Sequence, residues 1–200
     1  MFSFNHSFNQ PLDQWDVSNV EDMAGMFHYS KVFNQPLNSW DVSNVKNMSE
    51  MFSFSEAFNQ PLNKWDVSNV EDMREMFKNN EVFNQPLNSW NVSHVKDMSR
   101  MFYEAKSFDQ PLDQWDVSHV TEMTEMFAYA SSFSHPLHPW KLESIHQNDD
   151  ENDVYLDGML YKASKFKDDV FTKNLKHMKI GQRTVDCSKD VYKEYDPYAP

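Results

Sequence analysis

The apolar and polar positions of this chain recur with a fixed spacing of 25 residues. Each unit carries the same order of Phe, Pro, Leu, Trp, Val, Met, Met and Phe, separated by polar residues. A short fixed period predicts a solenoid, because each unit can bury its apolar face only by stacking on its neighbours. The phrase W-D-V-S-N-V or a variant of it begins at Trp15, Trp40, Trp65, Trp90, Trp115 and Trp140.

The first half of a unit, as in residues 33–57, predicts a short extended segment. Pro36 cannot continue a helix and favours an extended conformation in the residue before it. Trp40 and Val42 then alternate around Asp41, which is typical of a very short strand. One such strand per unit would form a continuous parallel sheet, because neighbouring strands lie about 4.8 Å apart.

The second half of the unit predicts a helix of about ten residues. Apolar side chains recur there at i, i+3, i+6 and i+7, which places them on one face of a helix. Ser43 precedes this segment at the position of an N-cap residue. Together the two halves predict an α/β solenoid with one short parallel strand and one short helix per repeat. The apolar face of the predicted helix consists of Val45, Met48, Met51 and Phe52.

The predicted repeat domain covers residues 1–145 and holds about five and a half to six units. Its first unit is incomplete, because Met1 corresponds to Met26 one period later. A solenoid needs atypical end units to cover its last apolar layers. We therefore expect upstream repeats to be missing from this chain.

The repeat pattern fails after Trp140, where no M-x-x-M-F follows and the acidic stretch 147–153 begins. We expect residues 146–200 to be a non-repeat C-terminal cap or tail that is partly irregular. Within it, the pattern predicts a strand at 154–156 and a helix between residues 166 and 178. These elements would cover the last apolar layer of the repeats.

The order L-x-x-W-x-V-S-N-V resembles the core of the leucine-rich repeat, L-x-x-L-x-L-x-x-N, with Trp and Val in place of two leucines. The whole repeat, F-N-Q-P-L-x-x-W-D-V-S-N-V-x-x-M-x-x-M-F, is similar to the surface-protein repeat of BspA-like leucine-rich-repeat proteins, over about residues 1–145. The resemblance implies a right-handed β/α solenoid used for adhesion or interaction at a cell or virion surface. It implies no defined ligand.

The charge of the chain belongs mainly to the repeats. Residues 1–145 hold 20 Asp and Glu against 9 Lys and Arg, and the whole chain has a formal net charge of -13. An acidic surface repels phosphate backbones, so we expect no nucleic-acid partner. No apolar run reaches the length of about 18 residues that a membrane span needs, and the N-terminus does not resemble a signal peptide.

No sequence motif of catalysis or cofactor binding is present. The histidines lack the H-E-x-x-H spacing, the single Cys187 lies in the tail, and no glycine-rich phosphate loop occurs. We interpret His94 and His119 as substitutions of the repeated Asn, and His135 and His138 as signs of an eroded sixth repeat. We therefore expect no enzyme activity, no cofactor and no bound metal.

The face of the predicted strands that points away from the core is the candidate binding site. Each unit contributes the residue before Trp and the residue after Trp. The residue after Trp is Asp in every unit but one, whereas the residue before Trp varies. One interpretation is a strip that binds a protein or glycan; the other is that Asp accepts backbone hydrogen bonds and the following Ser caps the helix. A structural fragment of a larger surface protein, without a ligand of its own, remains an alternative. The candidate residues are Gln14, Asp16, Ser39, Asp41, Lys64, Asp66, Ser89, Asn91, Gln114 and Asp116.

Overall fold

The computed structural model describes residues 1–140, 142, 155–175, 179–180 and 183–184. In these residues three regular elements occur: helix α1 (Asp169–Leu175), strand β1 (Lys179–Ile180) and strand β2 (Arg183–Thr184). The two strands pair in antiparallel orientation, with Lys179 opposite Thr184. The 25-residue units contain neither helix nor extended strand, so turns and hydrogen bonds between units organise them.

Successive units lie side by side in parallel register. Alternate backbone N–H groups of one unit donate to carbonyl groups of the next: Met23 N lies 2.9 Å from Asn47 O, and Phe27 N lies 3.0 Å from Met51 O. The same pairs recur one period later along the stack. Isolated parallel bridges mark the ladder at Asp22–Asn47, Asn47–Asp72, Asp72–Asp97, Asp97–Glu122 and Glu122–Tyr155.

The helix predicted over the M-x-x-M-F segment is wrong. The other backbone N–H groups donate to the carbonyl oxygen of the third residue before them and so form tight turns. Met26 N, for example, lies 3.1 Å from Met23 O. A chain of such turns returns side chains to one face at intervals of three and four residues. The apolar spacing is therefore the same as in a helix, although the backbone differs.

Two backbone positions in each unit have positive φ, which a helix does not allow. The first column holds Gly25 with φ of 57° and its equivalents, and the second holds Tyr29 with φ of 55° and its equivalents. This conformation costs about 1–2 kcal/mol for a residue with a Cβ. The non-glycine members are Glu50, Glu75, Arg100 and Glu125 in the first column and Phe4, Tyr29, Phe54, Asn79, Glu104, Tyr129 and Lys162 in the second.

The strand predicted at residues 40–42 is also wrong, since no ladder forms there. Side chains connect the units at this place instead. The indole N–H of Trp40 donates to the carbonyl oxygen of Leu12 at 2.8 Å, and Trp65 donates in the same way to Leu37 at 2.9 Å. The bond satisfies the one polar group of a buried Trp, so each unit is fixed to the unit before it.

Columns of phenylalanine rings form the centre of the core. The sequence predicted burial at these positions. Phe52 and Phe77 stack with ring centroids 5.7 Å apart, and Phe52 lies 4.0 Å from Phe58 in its own unit. All three are fully buried. The prediction that the repeated Phe, Trp and Met side chains are core residues is confirmed for residues 27–140, whereas Trp15 and Met1 in the first unit are 42% and 87% exposed.

An asparagine ladder runs beside this core at the F-N-Q-P segment. The Oδ1 atom of Asn59 accepts hydrogen bonds from the backbone N of Asn84 and from the side-chain Nε2 of Gln85, both at 3.0 Å. The same arrangement joins Asn34 to Asn59. Asn and Gln are therefore repeated because they satisfy backbone groups that would otherwise lack partners.

Residues 155–166, which the sequence analysis assigned to the C-terminal part, continue the stack. Phe127 N donates to Met159 O at 2.9 Å, as Phe102 N donates to Met126 O one unit earlier. Phe133 and Phe166 stack with centroids 5.9 Å apart. The offset here is 33 residues in place of 25, so a fixed period does not detect this unit. The expected strand reduces to a bridge at Tyr155, and Val154 lies outside the described residues.

Helix α1 follows this last unit, within the range predicted for a C-terminal helix; Met178, the predicted end, lies outside the described residues. Asp168 precedes the helix and is 6% exposed. Its Oδ1 accepts the backbone N–H of Phe171 at 3.0 Å, which caps the helix. Its Oδ2 accepts the backbone N–H groups of Leu137 and His138, both at 2.8 Å. One carboxylate thus joins α1 to the sixth repeat.

The pKa of Asp168 makes this junction sensitive to acid. Burial raises the pKa, but the hydrogen bonds from Phe171, His138 and Leu137 outweigh it and hold the pKa below the ordinary value. A depressed pKa adds stability above the unfolded-state value of about 3.9, and the contribution is lost as the pH falls through the folded-state pKa. We expect Asp168→Ala to lower the free energy of unfolding by about 1–2 kcal/mol at pH 7.

Denaturant unfolding at pH 7 and at pH 3 tests this junction. The wild type should lose stability between these pH values, and Asp168→Ala should lose less, because it lacks the titrating group. Asp169→Ala is the matched control, since Asp169 is exposed in the first turn of the same helix. Equal acid sensitivity of wild type and Asp168→Ala would contradict the assigned role.

Candidate functional site

All ten candidate residues lie exposed on one surface of the stack, which we call the W-D-V-S face. The residues between them point inward, as shown by Trp65 at 3% and Val67 at 1% exposure. The alternation predicted from the sequence is therefore present, although no strand produces it. The face displays carboxylate, amide and hydroxyl groups, with Lys64 as its one ammonium group among the ten candidates.

The repeated Asp of this face forms a local turn. Asp41 Oδ1 accepts the backbone N–H of Ser43 at 3.1 Å and the Ser43 hydroxyl at 2.6 Å. Asn91 keeps the backbone contact, with its Oδ1 3.2 Å from Ser93 N. The prediction that Asp accepts a backbone hydrogen bond is confirmed, whereas Ser43 caps no helix, because none forms.

These hydrogen bonds also change the acidity of the face. The side-chain and backbone hydrogen bonds of the following Ser lower the pKa of Asp16, Asp41 and Asp116. The neighbouring Asp16 charge opposes the shift at Asp41, as expected for like charges in adjacent units. The carboxylates are therefore ionised at neutral pH, and each keeps one oxygen free of the turn.

The variable column of the face contributes contacts between units. Ser89 Oγ donates to the carbonyl oxygen of Asn63 at 3.2 Å, and Lys64 N donates to Asn38 Oδ1 at 3.0 Å. Gln14 Nε2 lies 2.8 Å from a carboxylate oxygen of Asp13. The backbone and hydroxyl groups are thus used within the stack, and the Lys64 ammonium extends to solvent.

Two histidines act as hydrogen-bonding substitutes for other repeat residues, whereas His119 Nδ1 lies 3.3 Å from the hydroxyl of its neighbour Ser118. His94 Nδ1 lies 2.8 Å from Ser68 O, where Asn69 Nδ2 contacts Ser43 O at 2.7 Å in the preceding unit. His135 Nε2 lies 3.1 Å from Asp109 O, in the position of the repeated Gln. No group of three His, Cys, Asp or Glu side chains suited to a metal ion occurs within the described part of the chain. Cys187 lies outside it.

A second surface, which the sequence analysis did not identify, follows the columns with positive φ. Arg100 lies there between two glutamates, with its Nε 2.6 Å from Glu125 and its Nη1 3.5 Å from Glu75. Lys78 approaches Glu75 at 2.9 Å. Desolvation opposes the charge of Arg100, but its hydrogen bond to Glu125 and the nearby carboxylates raise its pKa. These ion pairs connect three consecutive units along this surface.

Aromatic rings form a row on the same surface, which we call the aromatic ridge: Phe4 is exposed, and Tyr29 and Phe54 are half-buried. The Phe4 and Tyr29 rings stack at 5.0 Å, and the Tyr29 and Phe54 rings stack at 4.3 Å. Phe4 is 62% exposed. In the sequence this surface corresponds to the two residues that follow M-F in each unit. They differ from unit to unit, whereas the M-F residues stay the same: the pairs are H-Y, S-F, K-N, Y-E and A-Y.

The stacked units and their two surfaces define a repeat protein. The chain belongs to the family described as Mycoplasma protein of unknown function, DUF285, whose model matches residues 1–86, 56–152 and 86–196. The third match extends past residue 145, in agreement with the added unit at 155–166. No curated protein and no solved structure matches the chain. Among the described residues, no helix is long and apolar enough to cross a membrane.

Proposed function

We propose that the chain is a non-catalytic interaction module that binds a protein or glycan through the W-D-V-S face. The supporting observation is that ten polar side chains from five consecutive units lie exposed on one surface, above a constant buried frame. In this proposal the stack is a leucine-rich-repeat-type solenoid of the BspA-like surface class, and it serves adhesion at a cell or virion surface. No nucleic acid, cofactor or catalytic step is part of it.

A second candidate function is that of a structural unit in a larger surface protein, without a ligand of its own. The turn formed by each repeated Asp favours it, because Asp41 already uses one oxygen to hold Ser43. In that case the column of Asp residues is repeated for the turn and for solubility. In the first candidate function the negative charge of the Asp column contacts a ligand, whereas in the second it serves only solubility.

The triple variant Asp41→Asn, Asp66→Asn and Asp116→Asn separates them. Asn keeps the acceptor oxygen of the turn, as Asn91 does in the fourth unit, so the variant should fold and melt close to the wild type. We expect its binding to arrays of purified glycans and purified extracellular proteins to fall at least about tenfold, because three surface charge contacts are lost.

Unchanged binding would remove the W-D-V-S face from the proposal. Loss of folding would instead assign the Asp column to structure and favour the second candidate. The control is Asp22→Asn, since Asp22 is exposed, is not one of the ten candidates, and its Oδ1 accepts the backbone N–H of Ala24 in a similar turn at 2.8 Å.

A further inference from the structure

The fourth unit of the W-D-V-S face carries Asn91 where the first, second, third and fifth units carry Asp. The exchange replaces one carboxylate oxygen with an amide nitrogen and keeps the other oxygen. That oxygen still forms the repeated turn, because Asn91 Oδ1 lies 3.2 Å from Ser93 N. The turn thus uses only the oxygen, and the nitrogen is a group that no Asp of the column offers.

The exchange also completes an acceptor sequence for N-linked sugars. Asn91, Val92 and Ser93 form the tripeptide N-x-S with a residue other than Pro in the middle, which is the sequence that N-glycosylation uses. The corresponding tripeptide of the second unit is D-V-S, which has no amide nitrogen. One residue type therefore decides whether a unit of this face can carry a sugar.

The tripeptide N-x-S occurs three times in the sequence, at Asn5, Asn47 and Asn91, and the structure distinguishes these places. Asn5 and Asn47 are half-buried, whereas Asn91 is exposed. Ser49, the third residue of the second tripeptide, is 4% exposed, and Asn47 belongs to the ladder between units. Of the three, Asn91 is therefore the one most open to an enzyme that acts on the folded chain.

The polar groups of the Asn91 turn are free on the side that faces solvent. The Oδ1 atom faces the backbone N–H of Ser93, so the amide nitrogen on the same carbon is directed away from that bond. Within the described residues, neither this nitrogen nor the Ser93 hydroxyl has a hydrogen-bond partner. In the second unit, by contrast, the Ser43 hydroxyl donates to Asp41 at 2.6 Å. Both side chains that define the acceptor sequence can thus contact an enzyme.

A bulky group has room at this position. Asn91 lies between Trp90 and Val92, which are 3% and 1% exposed, so its own side chain points away from the core. A sugar attached to it displaces none of the buried frame. It extends into solvent, which is where N-linked sugars lie on folded proteins.

We propose that Asn91 is an N-glycosylation site, and that its co-substrate is a sugar activated as a diphosphate ester. The amide nitrogen bonds to the anomeric carbon of the sugar, and the bond from that carbon to the diphosphate oxygen breaks. The electron pair of the broken bond leaves with the diphosphate, and one amide proton passes to a base of the transferring enzyme. The step needs neither an oxidant nor a reductant. This modification goes beyond the proposed interaction function and does not depend on it.

The test is incubation of the purified folded chain with UDP-glucose and an N-glycosyltransferase that recognises N-x-S and N-x-T. Tandem mass spectrometry then locates the added hexose, which we expect on Asn91. Modification of Asn47 should be at least about tenfold slower, because the ladder around it must first open locally. A second arm uses a lipid-diphosphate oligosaccharide and its solubilised transferase. An arm that modifies Asn91 supports the proposal and identifies a donor that the site accepts.

Four variants separate this site from the tripeptide alone. Asn91→Asp restores the residue of the other units, and Ser93→Ala removes the hydroxyl, so neither should be modified at this place. Ser93→Thr should retain the modification, because Thr also completes the acceptor sequence. Asp41→Asn creates the same tripeptide in the same turn of the second unit, so it should gain a second hexose. Circular dichroism checks that all four variants fold like the wild type.

Absence of the sugar from Asn91 in both arms would overturn the inference. Equal rates at Asn47 and Asn91 in the folded chain would also overturn it, because the tripeptide alone would then decide. If Asp41→Asn gains no second hexose, the exposed turn does not select Asn91 and the inference fails. None of these outcomes decides the proposed function, which the glycan and protein arrays test on the unmodified chain.

Discussion

Replacing Trp65 with alanine is expected to lower the free energy of unfolding by about 3–5 kcal/mol. Trp65 is 3% exposed and stacks on Trp90 with ring centroids 6.4 Å apart. Its indole N–H donates to Leu37 O, which belongs to the preceding unit. The substitution therefore leaves a cavity in a central unit and removes a bond between two units. Guanidinium denaturation followed by far-ultraviolet circular dichroism measures the change.

Trp65→Phe is the matched control for this prediction. It retains a buried ring and removes the indole N–H, so it should cost less than the alanine variant and still leave the Leu37 carbonyl without its donor. An alanine variant with the denaturation midpoint of the wild type would show that Trp65 is not packed between its neighbours.

Replacing Phe77 with alanine is expected to have a comparable effect, also about 3–5 kcal/mol. Phe77 is fully buried and contacts three rings, with centroids 5.7 Å from Phe52, 4.0 Å from Phe83 and 5.7 Å from Phe102. The change interrupts the central column of the core. Thermal unfolding by scanning calorimetry would record it as a lower melting temperature.

Phe77→Leu is the control that the chain itself supplies, because Leu160 occupies this column in the last unit. It should retain most of the stability, since it fills much of the space that alanine leaves empty. If Phe77→Leu were as damaging as Phe77→Ala, then stacking of the rings, and not burial, would dominate the column.

The sequence predicted the buried frame well because burial follows from the type and spacing of side chains. Trp65, Met76 and Phe77 are all buried as expected. Spacing did not predict the backbone. Residues at i, i+3 and i+4 share a face both in a helix and in a chain of tight turns, so the Met and Phe positions do not distinguish them. The distinguishing feature is positive φ, which only Gly25 and Asn79 indicate by residue type among the first five units.

The last unit does not follow from the sequence pattern, for a different reason. Leu156, Met159 and Leu160 repeat the M-x-x-M-F order, but eight additional residues separate them from the previous unit. A search at a fixed spacing of 25 does not align them. The hydrogen bond from Phe127 N to Met159 O identifies the unit directly.

The candidate site was predicted in part. Exposure of the W-D-V-S face follows from the alternation around Trp and Val, and the turn formed by Asp41 was one of two stated alternatives. The aromatic ridge was not predicted, because Tyr29 and Phe54 fall inside the expected helix or at its end. Only the turn geometry shows that the two rings stack outside the core.

The central claim is that the M-x-x-M-F segment is a chain of turns with positive φ, and Glu50 tests it most directly. Its φ is 57°, and Gly25 occupies the same column one unit earlier. In a left-handed position Gly is favoured over Ala, whereas in a helix Ala is favoured over Gly by about 1 kcal/mol. We expect the free energy of unfolding of Glu50→Gly to exceed that of Glu50→Ala by about 1 kcal/mol. A more stable Glu50→Ala would contradict the turns and restore the helix.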